Sequence, residues 1–299
     1  MTEKLPSYGG QAVIEGVLMR GKSSVAMATR SPEKKIVCYQ EKLSGLYTSK
    51  VVKIPFLRGL IVLWDALGLG MRFLTMSANV QTGEDEKLEG PLLYITLAAS
   101  LAIGIGVFFL LPALLSGLLA RYININAWII NLFEGFFRLL LLIVYLWVIG
   151  KIPDINRVFM YHGAEHKTIN AFEDNASLTP EIVSNYSLEH PRCGTSFILT
   201  LVLLSILLFS LFGPLPLQLR LLTRILMIPV LAGISYEYIH LIAKHLNSPF
   251  VKFIIKPNLA LQKLTTREPS LEMLEVSIEA FNLMKALEND NEQVANTII

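Results

Sequence analysis

Four apolar stretches dominate the hydrophobic pattern of this chain. Pro91 to Ala120 carries no charge and exceeds the ~20 residues that a helix needs to cross a bilayer. Ala127 to Gly150 is equally apolar except for Glu134 and Arg138, which lie four apart and can pair on a helix, reducing the cost of burying either alone. Phe197 to Leu219 is a third run, and Leu221 to Ile242, after PLPLQLR, a fourth. The pattern predicts a mainly α membrane protein with about four transmembrane helices.

Lysine and arginine outside these runs set the expected orientation. Twelve fall in residues 1–90, four in 151–196 and six beyond 243, against one each near Arg121 and Arg220. Both termini and the 151–196 loop therefore belong on the cytosolic side of the plasma (inner) membrane.

The remaining segments show shorter periods. SSVAMATR and KKIVCYQEKL, separated by SPE, alternate roughly between apolar and polar and read as two strands turning at Ser31 and Pro32. No apolar core of signal-peptide length is visible before them. Ile54 to Ala78 is apolar, but Arg58, Asp65 and Arg72 recur every seven residues, which puts all three on one stripe. An interfacial helix with its charged stripe toward water, headgroups or the cytosolic domain is expected, with a fifth span as the alternative. In EPSLEMLEVSIEAFNLMKALEND, Leu271, Leu274, Ile278 and Phe281 share a face after Pro269, predicting an amphipathic tail helix on the cytosolic layer. The resulting order is a strand-rich element (1–53), interfacial helix and acidic linker (54–90), two spans (91–150), cytosolic loop (151–196), two further spans (197–245) and cytosolic tail (246–299). The N-terminus and central loop together would form a small α/β element.

Composition agrees: 53% of the residues are hydrophobic and 17% charged, where a soluble domain has roughly a quarter charged. A net charge of +2 without a basic block argues against a nucleic-acid partner. The two cysteines, Cys38 and Cys193, fall in predicted cytosolic segments, where thiols stay reduced.

Candidate chemistry gathers in the loop. In YHGAEH, His162 and His166 stand at i and i+4 with Glu165 beside them, so on a helix both imidazoles can reach one ion. This H-x-x-E-H order matches the inverted zincins, where two histidines hold zinc and the glutamate polarises water. The bland alternative is a pair of surface histidines. HPRCGTSF adds His190 and Cys193 in H-x-x-C spacing, within reach of a shared ion from one turn. Alternatively that stretch is a turn with Arg192 on headgroups and Cys193 a small buried residue. Glu237, in SYEYIHLIAKH, is an ionisable group in a span and a candidate fifth ligand; nearby His240 and His245 fit polar anchors. Four ligands would make a closed structural zinc site, whereas three leave a water position and a base role for Glu165. In YGGQAVIEGVLMRG, glycines bracket a strand with Glu15 and Arg20, which either closes tight turns or lines the same site.

GGQAVIEGVLMRG, YHGAEHKTI, HPRCGTSF and SYE, in that order, resemble the signature segments of the YqhQ-like family of multi-pass bacterial membrane proteins, related to plastid proteins. The resemblance implies a domain of unknown function, sometimes described as a metal-dependent enzyme, with Glu15, His162, Glu165, His166, His190, Cys193 and Glu237 as motif positions. The expected function is a metal-dependent hydrolase, with a divalent metal, zinc, at the cytosolic face and a lipid-like or peptide substrate. The alternatives are a membrane-biogenesis scaffold with a structural metal site and, third, a transporter. Expected partners are the lipid bilayer and another membrane protein.

Overall fold

The computed structural model describes residues 8–43, 54–82, 90–123, 126–213, 215–246 and 248–297. The acidic linker expected before residue 90 lies mostly outside them.

Four antiparallel strands form one sheet in the order β1 (Gly9–Val13), β2 (Gly16–Arg20), β3 (Ser24–Arg30) and β4 (Ile36–Lys42). The hairpin expected around Ser31 and Pro32 is β3–β4, closed by Ser31 N–H donating to Lys35 O at 2.8 Å. The glycine-bracketed segment before it is a hairpin of its own, with Val13 opposite Gly16 and Glu15 at φ 52°. Only glycine fits at position 16, because a Cβ there would stand 2.2 Å from Ala28 O. Strand periodicity sends alternate side chains to opposite faces, and both faces are covered. Val17, Met19, Ala26 and Ala28 pack with Leu274 and Phe281; Val13, Leu18, Val25 and Met27 pack with Leu69 and Phe73.

Those partners come from two helices. The first, α1 (Leu57–Thr82), spends its C-terminal half on the sheet and turns Gly59 toward Gly233 and Tyr236. Two members of its predicted charged stripe are engaged within the protein. Arg58 pairs with Glu237, and Arg72 pairs with Glu41 on β4.

The apolar segments follow as α2 (Pro91–Ile105), a π-helical turn (Gly106–Leu110), α3 (Leu111–Tyr122) and α4 (Ala127–Ile149). Leu93–Tyr122, with 30 residues, and Ala127–Ile149, with 23, are long and apolar enough to cross a membrane. Next come α5 (Pro153–Glu173), α6 (Pro180–Val183), α7 (Gly194–Ser210), α8 (Leu217–Leu226), α9 (Ile228–Lys244), α10 (Pro249–Ile254), α11 (Lys256–Thr265) and α12 (Leu271–Thr297).

The expected third and fourth spans come out differently. α7 has 17 residues, about 26 Å at 1.5 Å per residue, against the ~30 Å of a hydrocarbon core. α8 and α9 meet at 45° and make a third span only if taken together. Pro229 opens α9 and offers no N–H to continue the helix before it. Among the described residues the helices long and apolar enough to cross a membrane thus number two, or three with the bent pair, and α7 is a shorter apolar helix. α8 also begins at Leu217, earlier than the expected Leu221, so it includes Arg220, and both Arg220 and Arg224 are buried.

Glu134 is the reason. It is 1% exposed, as are Arg138 and Arg224. Arg138 Nη2 donates to Glu134 Oε1 at 2.8 Å, and Arg224 Nε and Nη2 reach its two oxygens, both at 2.8 Å. The expected pair is thus a triad joining α4 to α8. Pro112 extends the network backward: it has no N–H to give Phe108 O. Arg138 Nε takes up that carbonyl at 2.9 Å.

In α12, Leu274, Ile278 and Phe281 are buried against the sheet and α5, while Leu271 stands exposed at the first turn. Sheet, α5 and α12 form one layer at the end of α4 where the chain leaves Ile149.

Candidate metal centre

α5 starts at Pro153, whose fixed φ and absent N–H suit a first helical position. One face buries Tyr161, Ala164, Ile169 and Phe172 in the sheet layer. His162 and His166 line the next face, with ring centroids 4.4 Å apart at 64°. Gly163 between them lets the chain after α11 lie against the helix, since a Cβ would meet Arg267 O at 2.2 Å. Arg267 N–H fixes that approach by donating to Phe159 O at 2.9 Å.

Each histidine has its outer nitrogen held by a carbonyl. His162 Nδ1 lies 2.9 Å from Thr265 O, a carbonyl at the end of α11 without an intrahelical partner. His166 Nδ1 lies 2.6 Å from Leu188 O. A carbonyl only accepts, so both Nδ1 atoms carry the proton and both Nε2 atoms keep a lone pair. His162 Nε2 is 3.1 Å from Cys193 Sγ, and a ligand atom from each of His162, His166 and Cys193 lies within 4.8 Å of the other two. Carbonyl-anchored imidazoles with a thiol are the arrangement that orients metal ligands.

The electrostatics favour neutral imidazoles. Burial lowers the His166 pKa, with the Cys193 thiol opposing. Burial also takes His190 down to about 4 against the pull of the Glu165 charge. Glu165 is held above the usual carboxylate range by complete burial, opposed by His162, His190 and the Gly10 N–H. Glu165 Oε2, His166 Nε2 and His190 Nε2 are all buried without a hydrogen-bond partner among protein atoms. Such groups are rare and each is costly, and a divalent ion on the two nitrogens and the sulfur would satisfy His166. The soft N,N,S donor set suits zinc, so the residues fit the group.

The remaining expected site residues sort clearly. His190 is beside the triplet, with its ring 5.8 Å from that of His166 and its Nε2 3.6 Å from Glu173. Its backbone is clamped by Gln262, which accepts from His190 N–H and donates to His190 O, both at 2.9 Å. Arg192 also pairs with Glu173. Glu237 does not join the group, because Arg58 and the Phe56 N–H take its carboxylate. Glu15 sits at its turn against Arg157 and Tyr161, and Arg20 closes β2 opposite Gly9 and Val25. His240 stacks on Tyr236 at 11°, and His245 Nδ1 bonds Leu241 O.

Gln262 and Glu173 escaped the sequence reading. Asn258 and Gln262, four apart and facing inward on α11, were the available signal for the first. Glu173 left none.

Comparison with known proteins settles the family. A family model described as "Protein of unknown function (DUF1385)" matches residues 54–287. The chain belongs to this family. It is also 38% identical over 314 residues to "Uncharacterized protein YqhQ" of Bacillus subtilis (strain 168), covering 98% of both chains. No solved structure matches. The family model starts at α1 and includes the whole His/His/Cys group, while the resemblance to the Bacillus protein also takes in the sheet.

Proposed function

We propose that this chain is a multi-pass protein of the plasma (inner) membrane, with both termini cytosolic, that holds zinc on His162, His166 and Cys193 at the cytosolic face. We read it as a hydrolase of a lipid-like or peptide substrate, with Glu165 as general base. The observation that carries the metal reading is the pair of backbone carbonyls on Nδ1 of His162 and His166, which leaves two Nε2 lone pairs beside one thiol. Membrane insertion rests on the apolar helices and on lysine and arginine concentrated in the terminal and central polar segments.

Three protein ligands leave a fourth position, the hallmark of catalytic rather than structural zinc. When bound, the ion polarises a carbonyl or phosphoryl oxygen and makes water more acidic. Glu165 precedes His166 on α5 and lies outside the triplet, its carboxyl against Gly10, with Oε2 unpartnered and a raised proton affinity, which suits a group that takes a proton and returns it. Burial holds His190 neutral, with the Glu165 charge opposing.

A structural staple is the second reading, favoured by one observation: the group ties α5 to the 188–193 turn and to the end of α11. Glu165→Gln separates the two. On the hydrolase reading the variant keeps its metal and loses the cellular phenotype of the intact gene. A variant that keeps both would leave only the staple.

A further inference from the structure

At the N-terminal end of α4, a helix about 35 Å long with its 23 residues at 1.5 Å per residue, and so opposite the end that leads to α5, lies a pocket of about 580 Å³. Arg220, Arg121 and Gln218 are its polar lining, and Gly117, Ala120, Ile130, Leu217 and Leu221 supply apolar walls. Arg220 is 5% exposed. Its neighbours Arg138 and Arg224 pair with the two oxygens of Glu134. Arg220 therefore bonds only neutral groups, Ser116 Oγ at 3.2 Å and Asn131 Oδ1 at 3.4 Å.

Three guanidinium groups thus surround one carboxylate in an apolar helix bundle, and Arg220, which feels Glu134 without a direct ion pair to it, is the one that faces the pocket. A buried charge whose one counter-charge is already paired with two others is expensive. Two helix N-termini add to the positive field, because Ala127 opens α4 and Leu217 opens α8, and both line the pocket. The α8 terminus has no side-chain cap, so its first N–H groups are free to donate to an anion.

We propose that this pocket binds a phosphate-bearing anion, with the phosphate on Arg220, Arg121 and the α8 N-terminus. The headgroup of an anionic phospholipid and free inorganic phosphate share that chemistry. A lipid phosphate would pair with Arg220 as a fixed bidentate counter-ion, and the apolar walls would receive the start of its chains. This site is separate from the metal centre and independent of the function proposed for it.

The test is native mass spectrometry of the full chain released from detergent after incubation with phosphatidylglycerol, with diacylglycerol, or with neither. Inorganic phosphate is titrated in parallel against thermal unfolding. The expected result is a retained phosphatidylglycerol adduct, absent with diacylglycerol. Arg220→Gln and Arg121→Gln should each weaken it about tenfold, the loss of one charge-assisted contact. Gly117→Leu is the control for a misfolded Arg220 variant: it alters no charge and points its side chain toward Leu217 and Arg220, so it should abolish the adduct by filling the pocket. Protection by inorganic phosphate without a lipid adduct would uphold the anion site and assign it to the free ion. Absence of both, or an adduct equally strong with diacylglycerol or in folded Gly117→Leu protein, would overturn the proposal.

Discussion

Glu134→Leu is the sharpest perturbation of the helix bundle. The wild-type carboxylate accepts from Arg138 and Arg224 at 2.8 Å and from Ser116 Oγ at 3.3 Å, and every group involved is almost fully buried. Leucine matches glutamate in bulk but leaves two guanidinium groups unpaired in an apolar interior. Breaking a buried pair from one side costs about 3–5 kcal/mol, mostly from the orphaned charge. For a chain this large that corresponds to a melting temperature lower by roughly 6–20 °C. Arg138 also retains Phe108 O and Ser205 Oγ and stacks on Phe209, so the lower half of that range is expected. The assay is thermal unfolding of purified protein in mild detergent, followed by circular dichroism. Adding Arg224→Met should restore about half of the loss, because it removes one orphaned charge. A Glu134→Leu protein that melts within about 2 °C of wild type would refute the idea that this triad locks α4 to α8.

Two other outcomes are specific. Gly163→Ala forces a Cβ onto Arg267 O, which the Phe159 bond prevents from yielding; a loss of about 1–3 kcal/mol and reduced metal content are expected in unfolding and elemental assays. Cys38 is exposed on β4, with its thiol pushed above its ordinary value by partial burial and the Glu279 charge. In a Cys193→Ser background, a membrane-impermeant maleimide should label Cys38 only after permeabilisation, and the rate should keep rising with pH beyond the value at which a free thiol levels off. Labelling of intact cells would contradict the proposed orientation.

Local signals in the chain anticipated much of this structure. Runs without charge mark the apolar helices because an apolar surface needs no polar partner. The β3–β4 hairpin was legible because Ser31 and Pro32 punctuate it. The first hairpin was hidden, since its turn at Ile14 and Glu15 has no Asn-Gly signal and its reason, the Ala28 carbonyl over Gly16, lies across the sheet. Arg220 looked like a boundary between spans because Glu134, the carboxylate of the triad that Arg220 adjoins, is more than eighty residues earlier. At the candidate site, helical spacing was enough to align His162 with His166, and H-x-x-C placed Cys193 nearby. Which of His190 and Cys193 faces them depends on the Gln262 clamp and on Glu173, which are contacts of the folded chain. Glu237 drew notice as a charge in an apolar run, but its partner, Arg58, is set by the packing of α1 on α9.

Metal content tests the zinc centre most directly. Elemental analysis of the purified wild-type chain beside His162→Ala and Cys193→Ser should find about one zinc per chain in the first and almost none in the variants, with Glu237→Gln unchanged from wild type. Metal-free wild-type protein, or variants that hold as much zinc as wild type, would contradict it.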